Sequence, residues 1–412
     1  MTTKLKYTII AVFLGGFMSM LTVRSANAGI SVQCPGDIDG DAKWDTMGEV
    51  QPSPNIKCLH LGAGDGFVTM ADGLSQYIFG FSDLTGIPTN PVNPADPVTV
   101  MEEGMLAATF PAPLIVLDEG DEFYLTLTNV GMAIRPDLFD PHTVHYHGFP
   151  QAAPIFDGVP DASISINMGS SLTYYYKVND PGTYMYHCHV EAAEHMQMGM
   201  LGNLYVRPVQ NGTPYVYKSK TYDKFVYNDG DGSTGYDQEY PIQIGSFDSE
   251  FHNASASVQP LPFALMLDDY PMLNGRGYPD TINPDPLSAP AENGGKVSQP
   301  ESSLITGAAG ERILLRISSL DVTRFFTLAS MGVSMTVVGM DAKLLRGPDG
   351  KNMYYKTNSV TLGGGESVDA IIDIPADAAP GTRYFLYTTN LNYLANGTEA
   401  YGGMMTEIVV SI

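Results

Sequence analysis

The most informative segment of the chain reads Pro181-Gly182-Thr183-Tyr184-Met185-Tyr186-His187-Cys188-His189. The pattern of its first six residues recurs in the second half of the sequence as Pro380-Gly381-Thr382-Arg383-Tyr384-Phe385. In both places a Pro-Gly-Thr turn leads into a short run rich in aromatic residues, a pattern typical of a β-strand. A further pair, Gly120-Asp121 and Gly310-Glu311, precedes a strand-like run in each half. The sequence therefore predicts two copies of one structural unit.

Composition supports an all-β fold. The 412 residues include 43 glycines, 29 prolines and 24 tyrosines, and turn signals interrupt many short alternating segments. A chain of this length is too long for one sandwich and suits two. We predict the following segments: 1–28 signal peptide, 29–95 irregular N-terminal extension, 96–208 first sandwich, 209–240 crossover between domains, and 241–412 second sandwich.

The N-terminus has the features of a secretory signal. Lys4 and Lys6 precede an apolar stretch, and Ala26-Asn27-Ala28 forms a small-x-small cleavage site. No later segment is long and apolar enough to predict a membrane span. We expect a secreted or periplasmic protein that is cleaved near Ala28.

Charge and cysteine usage fit export. A formal net charge of −24 argues against nucleic acid and anionic membranes as partners, and solubility is its simplest explanation. Of the three cysteines, Cys34 and Cys58 lie close together in the sequence. An oxidising compartment permits them to form a disulfide, which we expect to be structural.

Six of the eight histidines fall in a short region that also contains the third cysteine. They form His142-Thr143-Val144-His145-Tyr146-His147 and His187-Cys188-His189, followed by His195 and Met200. Two imidazoles, a thiolate and a thioether are the ligand set of a blue-copper centre. Zinc is the rival metal, and a single cysteine with a methionine favours copper over it.

Strand periodicity predicts a second metal site beside the first. Residues two apart on a strand point to the same face, so His187 and His189 share one direction and Cys188 takes the other. His145 and His147 form a similar pair. A blue copper on one side would then be joined to a histidine-bound copper on the other side by a short covalent path.

These motifs make the chain resemble two-domain multicopper oxidases of the cupredoxin superfamily, relatives of laccases and copper nitrite reductases. Supporting segments are Pro111-Ala112-Pro113-Leu114-Ile115, Asp157-Gly158-Val159-Pro160 and Asn274-Gly275-Arg276-Gly277-Tyr278-Pro279. The resemblance implies two cupredoxin-like Greek-key β-sandwich domains. It assigns type 1 copper to His142, Cys188, His195 and Met200, and type 2/type 3 copper to His145, His147, His187 and His189.

The resemblance also implies a function. We expect an exported, copper-dependent oxidoreductase that passes electrons from a donor through type 1 copper to the histidine-bound site, with dioxygen as acceptor. The donor is a small molecule, a metal ion or a redox protein. A homo-oligomer is expected, with a trimer favoured. The second sandwich, 241–412, is expected to carry no copper ligands.

One feature of the sequence departs from the family pattern. A complete trinuclear copper cluster needs eight imidazoles, and beyond the four predicted ligands only His60 and His252 remain outside the type 1 set. A non-catalytic blue-copper electron carrier or copper-handling protein is therefore an alternative. Nitrite reduction is a third hypothesis, which would need an imidazole such as His252 of a neighbouring subunit.

Two acidic segments resemble calcium-binding loops. They are Asp37-Ile38-Asp39-Gly40-Asp41, with Asp45 following, and Asp229-Gly230-Asp231. Neither completes the EF-hand pattern with its bidentate glutamate. The sequence therefore favours solvated turns for both.

Overall fold

The computed structural model describes residues 30–89, 100–257 and 260–411. The predicted signal peptide and the boundary placed at 95/96 lie outside these residues. The first sandwich contains strands β1 (Ile56–Thr69), β2 (Ser75–Asp83), β3 (Ala112–Asp118), β4 (Glu122–Gly131), β5 (His145–His147), β6 (Ser171–Lys177), β7 (Gly182–His187) and β8 (Leu201–Arg207). Two short helices accompany them, α1 (Val100–Gly104) and α2 (Ala192–Gln197).

The strands of the first sandwich form two sheets, in the orders β2-β1-β4-β6 and β3-β8-β7-β5. Strands β1 and β4 run parallel, as do β3 and β8, and the other neighbours are antiparallel. Side chains from both inner faces meet in one apolar core that includes Leu125, Tyr146 and Tyr186. Cys188 belongs to the same core.

A two-stranded hairpin, β9 (Tyr215–Tyr217) and β10 (Lys220–Tyr222), follows. The second sandwich contains β11 (Gln238–Phe247), β12 (Tyr270–Leu273), β13 (Ile305–Gly307), β14 (Arg312–Ser319), β15 (Phe326–Met331), β16 (Met335–Met340), β17 (Lys343–Leu344), β18 (Tyr355–Thr357), β19 (Ser359–Leu362), β20 (Glu366–Asp373), β21 (Arg383–Thr388) and β22 (Met405–Val410). Helix α3 spans Ser249–Ser255. Single-turn 3₁₀ helices lie at Pro154–Phe156, Phe263–Leu265, Asp280–Ile282, Ala291–Asn293 and Leu391–Leu394.

The second sandwich repeats the topology of the first. Its sheets run β12-β11-β14-β20-β16-β17, with β18 on β16, and β13-β22-β21-β15-β19. Strands β11 and β14 are parallel, as are β13 and β22, matching the two parallel pairs of the first sandwich. The two Gly-acid turns precede β4 and β14, and the two Pro-Gly-Thr turns lead into β7 and β21. The predicted all-β, two-sandwich fold is confirmed, and no helix among the described residues is long and apolar enough to cross a membrane.

The prediction that 29–95 is an irregular extension is wrong for much of its length. Strands β1 and β2 occupy Ile56–Asp83 and build half of the first sheet. Strand β1 is buried at nearly every position from His60 to Thr69, so it lacks the alternation that marks a half-exposed strand. Glycines within β1 also make it hard to recognise as a strand from sequence. Gly64 is needed there because a side chain would meet Val130 at 2.7 Å.

The predicted crossover 209–240 also contains more structure than expected. It forms the hairpin of β9 and β10, and its last residues already belong to β11, which begins at Gln238. Asp229 fixes this segment by accepting hydrogen bonds from the backbone of Gly232 (2.8 Å) and Thr234 (2.6 Å). The second sandwich therefore starts three residues earlier than the predicted boundary.

The two sandwiches meet across strand β7, which leads to the His-Cys-His motif. Thr183 on β7 donates to Asp369 Oδ1 (2.6 Å), and its carbonyl accepts from Ser367 Oγ (2.7 Å). Arg316, fully buried on β14, donates to Thr183 Oγ1 (3.1 Å) and pairs with Glu239 at 2.8 Å. A buried, hydrogen-bonded contact of this kind fixes the position of β7 relative to the second sandwich.

Candidate metal centre

The end of β7 places candidate metal-binding side chains on both of its faces. Strand β5 pairs with β7 so that His145 lies directly opposite His187. Cys188 and His189 follow immediately after the strand. Since neighbouring residues of an extended chain face opposite ways, the cysteine enters the core while the histidines face the second sandwich.

The first group of candidate ligands, the cysteine cluster, consists of His142, Cys188, His195 and Met200. All four are fully buried. Cys188 Sγ lies 3.2 Å from Nδ1 of His195 and 3.8 Å from Nδ1 of His142, and the two imidazole rings are 5.0 Å apart. Ligand atoms of the two histidines and the cysteine fit within 4.8 Å of one another.

Backbone hydrogen bonds hold this cluster together. His142 forms a reciprocal pair with Ile166 (3.0 and 2.9 Å). The amide of Cys188 donates to the carbonyl of Met200 (3.1 Å), and the amide of Met200 donates to the carbonyl of His195 (2.8 Å). Helix α2 begins a few residues after Cys188 and carries His195 back toward the thiol.

The protonation states of the cysteine cluster suit a metal ion. Burial lowers the pKa of His195 to about 4, and that of His142 well below its usual value, so both rings are neutral as metal ligands must be. Burial raises the pKa of the Cys188 thiol to about 11. A thiolate is stable in this apolar pocket only with a cation beside it, because an unpaired buried charge is strongly disfavoured.

The second group, the histidine cluster, consists of His145, His147, His187 and His189. The ring of His145 lies 5.8, 5.2 and 5.1 Å from the rings of the other three, in that order. Nδ1 of His147 faces Nε2 of His187 at 3.3 Å. These two ring nitrogens face one another with no acidic side chain between them. Two ligands of one metal ion would be arranged in the same way.

Neighbouring carbonyl groups fix the orientation of two of these rings. His145 Nδ1 donates to the carbonyl of Asp157 (2.6 Å), and His187 Nδ1 donates to the carbonyl of Cys188 (2.8 Å). Each bond occupies Nδ1 and so makes Nε2 the nitrogen that would bind a metal, the usual arrangement for a ligating histidine. Gly158 permits the first bond, because a side chain there would meet the carbonyl of Val144 at 2.1 Å.

The histidine cluster opens into a cleft of about 300 Å³ between the two sandwiches. The second sandwich contributes Leu320, Asp321, Val322, Gly364 and Gly365 to its lining. Gly365 lies so close that a side chain would meet His147 Nε2 at 2.6 Å. This wall of the cleft contains no imidazole.

Asp321 is a lining residue that the sequence did not identify. Burial, followed by the charge of nearby Asp268, raises the pKa of Asp321 to about 6. Its carboxylate accepts backbone hydrogen bonds from Thr323 (3.0 Å) and Arg324 (2.7 Å), and Ser246 Oγ contacts both aspartates. Only the packing of the two sandwiches brings it beside the histidines, so no local sequence signal could have marked it.

The two remaining histidines lie elsewhere. His252 on α3 is fully buried, with its ring nitrogens 2.6 Å from the carbonyl of Tyr77 and 2.9 Å from that of Gln197. His60 is also fully buried, and its Nε2 lies 2.7 Å from Thr128 Oγ1. Neither is placed to complete a metal site on a neighbouring subunit.

Comparison with known sequences gives the family of the first sandwich. The sequence model described as "Multicopper oxidase" matches residues 94–211. This match spans the part of the first sandwich that contains both histidine motifs. All eight predicted ligands lie within the matched residues. In the cysteine cluster, the two neutral imidazoles of His142 and His195 beside one buried thiol fit copper.

The curated relatives that this chain matches are larger proteins. Multicopper oxidase MmcO from Mycobacterium tuberculosis is 29% identical over 246 residues, which cover 57% of this chain and 42% of that protein. Multicopper oxidase MCE from Talaromyces pinophilus is 36% identical over 104 residues, 25% of this chain and 16% of that protein. The chain thus matches less than half the length of either relative.

Solved structures of similar fold cover both sandwiches. Blue copper oxidase from Nitrosomonas europaea has 22% sequence identity and a TM-score of 0.59, over 86% of each chain. Copper nitrite reductase from the same organism has 16% identity and a TM-score of 0.56, over 86% of this chain and 94% of that one. At these identities the likeness concerns the fold, which is that of cupredoxin-type multicopper oxidases.

Proposed function

We propose that the protein is an exported copper-dependent oxidoreductase of the multicopper oxidase type, with dioxygen as its acceptor. The observation that carries the proposal is the end of β7. There one tripeptide, His187-Cys188-His189, contributes a thiol to the cysteine cluster and two imidazoles to the histidine cluster. Because the two clusters share this tripeptide, an electron can pass between them along its backbone.

The chain offers two parallel routes for that electron. One runs through the bonds of Cys188 to the adjacent histidines. The other crosses the hydrogen bond from His187 Nδ1 to the carbonyl of Cys188 (2.8 Å), which links the two residues a second time. Copper, when bound, supplies the one-electron chemistry and the reduction of dioxygen.

The protein's own residues prepare these sites. Complete burial of the cysteine cluster excludes water and keeps its ligands in one arrangement. Asp157 orients His145 through its carbonyl, and Asp321 can hold a proton at the wall of the cleft below about pH 6. Reduction of dioxygen to water consumes protons as well as electrons, so an acid at this position has a direct use.

Asp321 gives the activity a predicted pH dependence. The raised pKa means that its carboxyl is protonated below about pH 6 and ionised above it. We expect oxygen consumption to fall as pH rises through about 6. In Asp321→Asn we expect a rate at least about 100-fold lower that no longer changes across this interval, the lower end of the range typical of general acids.

Steady-state oxygen uptake against pH checks this prediction, with Asp161→Asn, an exposed carboxylate of the first sandwich, as the matched control. The control should keep both the rate and the pH profile of the parent. An unchanged rate and profile in Asp321→Asn would remove Asp321 from the mechanism.

Oxygen consumption tests the proposed function itself. The copper-loaded protein is mixed with a simple phenolic donor, a cuprous or ferrous ion, or a reduced redox protein, and oxygen uptake is recorded. We expect catalytic uptake with at least one of these donors. Reduction of the blue site without continued uptake would reject the oxidase and support the carrier.

A specific observation favours the carrier as the second candidate. Among the described residues, only four imidazoles face the cleft, and His60 and His252 are both buried elsewhere. We propose that an oxidase would therefore obtain its missing imidazoles by pairing with a second copy or a partner protein. Nitric oxide release with nitrite is the readout for the third hypothesis, which the burial of His252 disfavours.

Export is part of the proposal and rests on two features. The N-terminal sequence has the pattern of a cleaved signal near Ala28. The structure joins Cys34 to Cys58 by a disulfide, with Cα atoms 5.9 Å apart, and structural disulfides belong to oxidising compartments. Both features support a secreted or periplasmic location.

A further inference from the structure

The acidic segment that begins at Asp37 is not the solvated turn that its sequence suggested. Asp39 and Asp41 are only 6% and 3% exposed, and a carboxylate oxygen from each lies within 4.8 Å of one from Asp37. The segment packs against the chain after β2, where Gly86 donates to the carbonyl of Asp41 (2.7 Å) and Thr89 Oγ1 to that of Gly40 (2.8 Å). Three carboxylates thus converge in a closed loop.

One oxygen of this group has no partner. Asp39 Oδ2 accepts from Thr46 Oγ1 (2.9 Å), but the buried Oδ1 accepts no hydrogen bond from any described residue. No lysine or arginine of the described chain forms an ion pair with Asp37, Asp39 or Asp41. A buried carboxylate oxygen without a partner is strongly unfavourable, so the loop lacks a positive ligand.

The neighbouring carboxyl groups respond to the same crowding. Burial raises the pKa of Asp41, and the charges of Asp39 and Asp45 raise it further. Burial likewise raises the pKa of Asp37, although backbone amides from Ala42 and Gly40 oppose the change. A cation at the centre of the group would offset this repulsion.

We propose that Asp37, Asp39 and Asp41 form a binding site for a divalent, oxygen-preferring cation, with Ca²⁺ as its ligand. Carboxylates at alternate positions of a short loop are the donors that Ca²⁺ accepts, as at positions 1, 3 and 5 of an EF-hand. Ala42 takes the sixth position with φ +67°, the backbone conformation that the sharp turn of such a loop requires.

The site differs from an EF-hand at its end. Glu49 comes one residue too late for the twelfth position, and its carboxylate accepts instead from the amides of Ile38 (2.8 Å) and Thr46 (2.9 Å). Glu49 therefore closes the loop without serving as the bidentate ligand. With fewer protein ligands than a full EF-hand, we expect a Kd on the order of 10⁻⁵ to 10⁻³ M, which runs from the weakest sensor sites to extracellular modules.

The chain contains a reporter for this loop. Trp44 is its single tryptophan and lies three residues after Asp41, with its indole bonded to the carbonyl of Pro35 (2.9 Å). Tb³⁺ takes the same oxygen ligands as Ca²⁺ and emits when a nearby tryptophan is excited. We expect sensitised emission from the copper-loaded, disulfide-intact protein that saturates at one Tb³⁺ per chain.

Competition and substitution then identify the site. Ca²⁺ should displace Tb³⁺, whereas Mg²⁺ at equal concentration should not, because it demands a rigid octahedral shell. Asp39→Asn and Asp41→Asn should each weaken Tb³⁺ binding by about tenfold or more, since carboxylate charge sets the affinity. Asp231→Asn should leave it unchanged, because Asp231 lies in the other acidic turn and is already paired with Arg346 (3.0 Å).

The blue-copper signal shows that each variant has folded, so a lost Tb³⁺ site can be separated from a lost fold. Calcium analysis of the parent protein after dialysis against Ca²⁺ gives an independent count, expected to be one ion per chain. Absence of Trp44-sensitised emission, or equal binding by Asp39→Asn and the parent, would overturn the proposal. Neither result depends on the oxidase activity.

Discussion

Cys188→Ser should abolish the blue copper site and leave the copper of the histidine cluster in place. The thiolate is the ligand that gives such a site its colour and its narrow EPR splitting, and a hydroxyl cannot replace it. The rate of donor-driven oxygen consumption should be at least about 100-fold lower than that of the parent protein. The measurement is visible absorption, EPR and oxygen uptake on the same copper-loaded preparation.

The substitution tests the route as well as the site. Serine is nearly the size of cysteine. The hydrogen bond from the amide of residue 188 to the carbonyl of Met200 does not depend on the side chain, so the variant should keep the local fold. Met200→Leu is the matched control, because the axial thioether tunes the potential without being needed for the colour. The assigned ligands would be refuted if Cys188→Ser kept its blue absorption. They would also be refuted if Met200→Leu lost its blue absorption and Cys188→Ser did not.

His147→Ala should produce the opposite result. Nδ1 of His147 faces His187 Nε2 at 3.3 Å. The substitution therefore removes one candidate ligand from the histidine cluster and leaves the cysteine cluster intact. Losing even a residue that supports a metal ligand typically costs 10- to 100-fold in affinity, and losing the ligand should cost at least about 100-fold. We expect loss of the cleft copper, an unchanged blue signal and no sustained oxygen uptake.

The blue copper of His147→Ala should still accept an electron. A single addition of donor would bleach the colour, and air would not restore it at the parent's rate, because the acceptor site is gone. Metal analysis with stopped-flow absorption measures both. If this variant reoxidised as fast as the parent, dioxygen would be reacting elsewhere, and the histidine cluster would not be the acceptor site.

The grouping of the candidate ligands was predictable from sequence because their arrangement is local. The two-residue period of a strand separates Cys188 from His187 and His189, and β5 pairs with β7 in the register that brings the two histidine motifs together. The repeated turns before β4 and β14 likewise predicted the repeated topology. These features depend on neighbours in the chain, which a sequence displays directly.

Features that depend on packing were not predictable in the same way. Strand β1 lost its alternation because both of its faces are covered. Asp321 reaches the cleft only because β14 and β20 pack against β7. The acidic loop at Asp39 has the composition of a solvated turn, and only its contacts with the segment after β2 bury it.

Copper content per chain, with the EPR signal integrated against the total, tests most directly whether one tripeptide joins two copper sites. The sample is the mature protein loaded with copper and freed of excess metal. We predict more than one copper per chain, with the narrowly split blue signal accounting for one and part of the remainder EPR-silent. One copper per chain, all of it in the blue signal, would contradict the second site and make the protein a carrier.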